Sequence, residues 1–145
     1  MRLIEPEHNT FDAIMADLTH QCNMECSNCY LPNRDIPDMD KERLYDLVSR
    51  LPRRTFIRLI GAEPTLREDL HDIVRKIKSL GHHVSLTTNG LKLHRMDYVQ
   101  KLKSAGLRLV LISMNGADDD DVYKRFDGGK YARLKNRALD NCMKS

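Results

Sequence analysis

Three cysteines give the strongest chemical signal in the chain: Cys22, Cys26 and Cys29 stand at C-x3-C-x2-C spacing within "HQCNMECSNCY". Thiolates are soft ligands that suit iron–sulfur clusters and zinc. A [4Fe–4S] cubane has four irons to ligate, so three cysteines leave one iron free for a substrate or cosubstrate. A purely structural site is expected to fill every position. Two alternatives stay open on the triplet alone. His20 could join the three cysteines in a zinc site. The cysteines could also pack as small hydrophobes, although "QCNMECSNCY" is polar and lies outside any apolar stripe. Cys142 stands alone near the end of the chain, and this distribution suits a metal site in a reducing compartment better than a disulfide framework.

The 145 residues, 41% hydrophobic and 31% charged, have the balance of one ordinary globular domain spanning 1–145. The 24 basic and 21 acidic residues are interleaved, which describes a solvated surface and argues against a nucleic-acid partner. The opening "MRLIEPEHNT" lacks the apolar run of a signal peptide, and no later segment reaches membrane-spanning length. A cytoplasmic protein without a membrane partner is expected.

The elements that must hold the cysteines alternate short apolar or β-branched runs with amphipathic stretches, the pattern of repeated βα units around a parallel sheet. Strands are expected at "FDAIMADLT" (11–19), "TFIRLIG" (55–61), "HVSLTTNG" (83–90) and "LRLVLISMNG" (107–116). Leu44, Leu47, Val48 and Leu51 mark a first helix with Asp40 as its N-cap. Thr65 and Glu68 read as a capping box opening a second, with Leu66, Leu70, Ile73, Val74, Ile77 and Leu80 as its stripe and Gly81 as its stop. Met96, Val99 and Leu102 carry a third helix to Gly106, and Tyr131, Leu134, Ala138 and Cys142 lie along one side of a fourth. The acidic tract "ADDDD" (117–121) reads as a helix cap and solvated loop, since the glycine and glutamate offsets of an EF-hand are missing.

The fold class that follows is α/β: a partial (βα) barrel of about four βα units whose parallel sheet is open or incomplete. Its last strand then presents an unpaired edge. A longer parent domain, a partner chain covering the edge, or a minimal open fold would each explain it. The cysteine loop follows the carboxyl end of the first strand, where parallel α/β folds place reactive groups.

"CNMECSNC" is similar to the cluster-binding loop of the radical SAM enzymes, and three further segments agree in order. "GAEPT" at Gly61, Ala62, Glu63, Pro64 and Thr65 resembles the family's glycine-glycine-glutamate-proline motif. "TTNG", ending in Asn89 and Gly90, and "SMNG", from Ser113 through Asn115, resemble the ends of the third and fourth strands in the branch of peptide-modifying and cofactor-building members. The likeness runs from about residue 12 to about residue 140. In this sequence Ala62 replaces the second glycine, Asn28 stands where an aromatic residue is usual, Asn115 replaces an aspartate, and the family's fifth and sixth strands have no counterpart.

The resemblance implies a radical SAM enzyme, or the core portion of one. Cys22, Cys26 and Cys29 would ligate a [4Fe–4S] cluster, and S-adenosylmethionine would be cleaved reductively to a 5′-deoxyadenosyl radical that takes hydrogen from an unidentified substrate. Gly61, Ala62 and Glu63 would hold the methionyl amino end through backbone groups, within a motif completed by Pro64. Arg125 would pair with the carboxylate, Ser113 would bond the ribose or carboxylate, Asn89 would line the pocket, Asn115 would keep an acceptor on its turn, and Tyr30 would pack on the adenine side. The substrate could be a peptide, a protein or a small molecule. An external electron donor is required, and a partner chain covering the open edge is one of the readings left. The alternative from another class is a catalytically inactive or zinc-stabilised binding module of the same fold.

Overall fold

The computed structural model describes residues 5–31 and 33–145. Four parallel strands, β1 (Ala13–Asp17), β2 (Phe56–Ile60), β3 (His83–Thr88) and β4 (Leu109–Ile112), lie in sequence order in one open sheet. Five α-helices are described with them: α1 (Lys41–Ser49), α2 (Leu70–Ser79), α3 (Met96–Ser104), α4 (Asp120–Asp127) and α5 (Ala132–Lys144). The strands are registered Ala16 to Leu59, Leu59 to Leu86 and Leu86 to Val110, so one residue from each strand forms an apolar row across the sheet. Leu59 and Leu86 in this row are fully buried, and side chains on that face meet Val48, Ile73, Val74 and Ile77 from the helices. Burying each such side chain contributes about 1.5–3 kcal/mol.

Alternation along the strands leaves the other face open. Met15, Leu109 and Leu111 are 68%, 46% and 38% exposed there, and β4 pairs with β3 alone among the described strands. The expected open, parallel α/β sheet is the one observed.

Local chemistry explains where the elements differ from the sequence reading. Asp40 caps α1 as expected, accepting from the Glu42 N–H at 3.1 Å. The helix expected from Thr65 starts five residues later, at Leu70, after a separate 3-10 turn at Pro64–Leu66. The Glu63 carboxylate takes both the Thr65 N–H and the Thr65 hydroxyl, at 3.0 and 2.6 Å, so that hydroxyl donates to Glu63 and the capping box with Glu68 does not form. The acidic tract does open a helix: Asp119 caps α4 by accepting from the N–H groups of Asp121 and Val122, which adds a fifth helix to the four expected. On α5 the buried residues are Ala132, Lys135, Ala138 and Asn141, so the inward stripe is rotated from the expected one and carries two polar side chains. No helix among the described residues is long and apolar enough to cross a membrane.

Candidate functional site

Parallel strands deliver all four of their following loops to one end of the sheet, and these loops enclose a cavity of about 290 Å³. Cys22, Cys26 and Cys29 come from the loop after β1, Gly61 and Ala62 follow β2, Asn89 follows β3, and Ser113 and Asn115 follow β4. Tyr30 lines the same space and is 71% exposed. A larger groove of about 440 Å³ runs between α3, β4 and α5, but its lining is mainly aliphatic and it does not include the three cysteines of the loop. Convergent polar groups mark the smaller cavity as the candidate site.

The loop after β2 is shaped by a close approach of backbone to backbone. Gly61 has φ +154°, and a Cβ there would lie 2.5 Å from the Thr19 carbonyl oxygen. The Ala62 N–H donates to Thr19 O at 2.7 Å and the Glu63 N–H to Gln21 O at 2.9 Å, which ties this loop to the start of the cysteine loop. With those N–H groups engaged, the segment can offer a ligand its carbonyl oxygens, and these suit an ammonium group. Ala62 is absent from the positive-φ residues, so its methyl group imposes no torsional penalty.

Glu63 lies beneath the site and Pro64 is buried in the 3-10 turn; neither lines the cavity. The fully buried Glu63 carboxylate accepts from Thr65 twice, from the Thr88 hydroxyl at 2.7 Å and from the Asn89 N–H at 2.6 Å. It therefore holds the loops after β2 and β3 in register. Asn89 is fixed in turn, its amide donating to Asn23 Oδ1 at 2.8 Å and lying 3.9 Å from Cys22 Sγ.

Arg125 is not brought to the cavity. Tyr123 and Asp127, four residues apart, form the buried face of α4, so Arg125 midway between them points outward, with its guanidinium 5.4 Å over the Phe126 ring. The cations that do line the cavity are Arg34 and Lys135, neither of which the motif reading picked out. Arg34 donates to Cys29 Sγ at 3.4 Å. Lys135 is 1% exposed and donates to Asp127 Oδ2 at 3.0 Å and to Ser113 O at 2.8 Å, while Asn115 donates to Asp127 Oδ1 at 2.6 Å. The available signal for Lys135 was its spacing, three residues before Ala138 on the side of α5 that turns inward.

The donor set fits an iron–sulfur group. All four cysteines are free thiols, and the three in the loop share one cavity. Burial pushes the Cys26 thiol above its ordinary value, with Asp127, Cys22 and Cys29 adding to the shift and Lys135 opposing it. Among the described residues no three His, Cys, Asp or Glu side chains converge as the ligands of a single ion would. A cubane spreads its protein ligands over different irons and does not ask for that convergence. His20 faces away from the thiols in its hydrogen bonding: Nδ1 meets Asn33 O at 3.0 Å and Nε2 meets Asp17 Oδ2 at 3.1 Å.

The sequence model of the Radical SAM superfamily matches residues 17–144. The chain is 30% identical over 136 residues to a 7,8-dihydro-6-hydroxymethylpterin dimethyltransferase of Methanocaldococcus jannaschii, covering 88% of this chain and 27% of that protein. It is 41% identical over 117 residues to a probable GTP 3',8-cyclase of Saccharolobus solfataricus, covering 77% of this chain and 37% of that one. The crystal structure of Streptococcus suis SuiB bound to precursor peptide SuiA matches with a TM-score of 0.72 at 18% identity, over 90% of this chain and 30% of that one, a likeness of fold. The chain spans between 27% and 37% of the length of these three proteins.

Proposed function

The chain belongs to the radical SAM superfamily, and on that premise we propose that Cys22, Cys26 and Cys29 hold a [4Fe–4S] cluster beside a site for S-adenosylmethionine. The observation that carries this reading is the meeting of three free thiols with the loops after β2, β3 and β4 in one cavity. When bound, the pair supplies reductive cleavage: one electron from an external donor breaks the sulfonium–carbon bond, giving methionine and a 5′-deoxyadenosyl radical that abstracts hydrogen from the substrate.

The chain's own residues bind, orient and exclude water. The carbonyl oxygens of Gly61 and Ala62 accept from the methionyl ammonium, the role left to this segment once the N–H groups of Ala62 and Glu63 are tied to Thr19 and Gln21. Ser113 and Asn115 serve the ribose and carboxylate from the turn after β4, and Asn89 closes the wall beside Cys22. Tyr30 supplies an aromatic face at the mouth. Glu63 acts from below by fixing the loop positions, and Pro64 starts the turn that follows. Arg34 provides the positive charge assigned on resemblance to Arg125, which the outward face of α4 keeps away, while the Lys135 charge is taken up by Asp127. The whole chain acts as one radical SAM core unit in a reducing cytoplasm. Its substrate is a peptide, a protein or a small molecule, and the open β4 edge offers a place for a partner chain.

Anaerobic reconstitution tests the reading. The expected product is a brown protein with about four irons per chain that cleaves S-adenosylmethionine when reduced, and Cys26→Ala is expected to abolish both colour and cleavage. A colourless protein carrying one zinc would refute the cluster. Iron content unchanged in Cys26→Ala would refute the ligand assignment.

A further inference from the structure

Asp127 and Lys135 are the most deeply buried charges among the residues that line the cavity, each 1% exposed, and their bonds lead in two directions. Toward β4, Lys135 donates to Ser113 O and Asn115 donates to Asp127, which seats the turn carrying Ser113 and Asn115 on α4 and α5. Lys135 also lies 5.0 Å over the Tyr123 ring, so its ammonium is held from below as well. Toward the cysteines, the end of α4 is docked on the cysteine loop. The Ser27 N–H donates to Phe126 O at 2.8 Å, and Gly128, at φ +81°, leaves room for so close an approach that a Cβ there would lie 2.9 Å from Glu25 O. Glu25 and Ser27 flank Cys26 in the chain. Asp120 fastens the other end of α4 to α5 by accepting from the Ala132 N–H at 3.0 Å.

A buried ion pair is weak evidence for stability, because desolvating two charges offsets most of their attraction. What this pair does is geometric: among the described residues it is the fully buried ion pair that joins the segment docked beside Cys26 to the turn after β4. We infer that Asp127 and Lys135 are positioning residues that set the distance between the cysteine loop and the S-adenosylmethionine-binding turn. The inference rests on the cluster and cosubstrate reading above and adds to it the device that keeps the two halves of the site in register. Such registration matters because misplacement of about 1 Å can cost about a hundredfold in reaction rate.

The test uses the 145-residue chain reconstituted anaerobically. Removing one charge alone leaves the other uncompensated and endangers the fold, so the informative variants are Asp127→Asn/Lys135→Met, which is neutral and of similar volume, and Asp127→Glu, which keeps the pair but displaces it by a methylene. Both are expected to hold iron as the wild type does and to bind S-adenosylmethionine about tenfold or more weakly. The change that S-adenosylmethionine induces in the electron paramagnetic resonance spectrum of the reduced cluster is expected to be lost. Wild-type affinity with an intact spectral change in either variant overturns the inference. Loss of fold or iron in both variants also overturns it, because the pair would then be a stability element. A wild-type chain with no cluster that responds to S-adenosylmethionine overturns the functional reading itself, whereas a responsive wild type with equally responsive variants overturns only the positioning role.

Discussion

The Glu63 carboxylate lies 2.6 Å from the Asn89 amide nitrogen and joins two loops that are separate in sequence and adjacent at the site. Glu63 is fully buried and has no ion-pair partner among the described residues, so two N–H donors and two hydroxyls balance its charge. Glu63→Gln turns one acceptor into a donor facing a donor, and is expected to cost about 2–4 kcal/mol. The check is a lowered denaturation midpoint at unchanged m-value, with looser protection of the Asn89 amide in hydrogen exchange.

Gly61→Ala and Ala62→Gly should destabilise to very different extents although they are neighbours. At Gly61 a methyl group meets the Thr19 carbonyl at 2.5 Å on a backbone that ordinary residues avoid, and about 2–4 kcal/mol of stability is expected to be lost. At Ala62 the φ is ordinary, so removing the methyl group adds only unfolded-state freedom, about 0.5–1 kcal/mol. Thermal midpoints of the two variants measured side by side decide it. Equal losses would mean that the contact with Thr19 does not control this loop.

Arg67 links the end of β1 to the starts of α1 and α2: it donates to Leu18 O at 2.9 Å, to Met39 O at 2.7 Å and to both carboxylate oxygens of Asp69. Its hydrogen bond holds the Asp69 carboxyl below the ordinary value of 3.8. The contribution of Asp69 to stability is therefore complete above that value and is lost as pH falls through the lowered folded value. Glu7 is likewise held at about 2 by Arg50, but in an exposed surface pair that salt screens. Acid unfolding at about 1 M salt should thus still show the Asp69 component, and Arg67→Met should remove it while costing about 3 kcal/mol at neutral pH.

The parts of this protein that were legible in its sequence are those that local pattern determines. The strands follow alternating or continuous apolar runs, Asp40 announces α1, and the cysteine spacing points to the site before any strand is paired. Illegible were the residues whose role depends on a partner that the local pattern does not name. Lys135 is an ordinary surface lysine unless Asp127 faces it across the turn between α4 and α5. Thr65 looks like a helix cap until the carboxylate two residues earlier takes its hydroxyl. Arg125 matches a family offset, yet the placement of Tyr123 and Asp127 on the inner face of α4 turns it outward. For Lys135 and Arg125 tertiary packing overrides the local pattern, and at Thr65 a competing local hydrogen bond does.

His20 gives the sharpest distinction between a cluster with an open iron and a closed zinc site. It is two residues from Cys22, near enough in sequence to be a fourth ligand. A histidine ligand must bring a lone pair to the metal, and both ring nitrogens here face oxygen acceptors, Asn33 O and Asp17 Oδ2. Binding through Nδ1 would give up the contact with Asn33 O, and binding through Nε2 would uncover Asp17, whose Oδ1 already lacks a partner among the described residues. His20→Ala is accordingly expected to take up iron and sulfide in wild-type amounts, with a modest loss of stability of about 1 kcal/mol from the missing hydrogen bonds. Metal and sulfide analysis of the purified variant is the check. If His20→Ala loses its metal while Tyr30→Ala does not, His20 is a ligand, the fourth position is closed, and no iron is left for a cosubstrate.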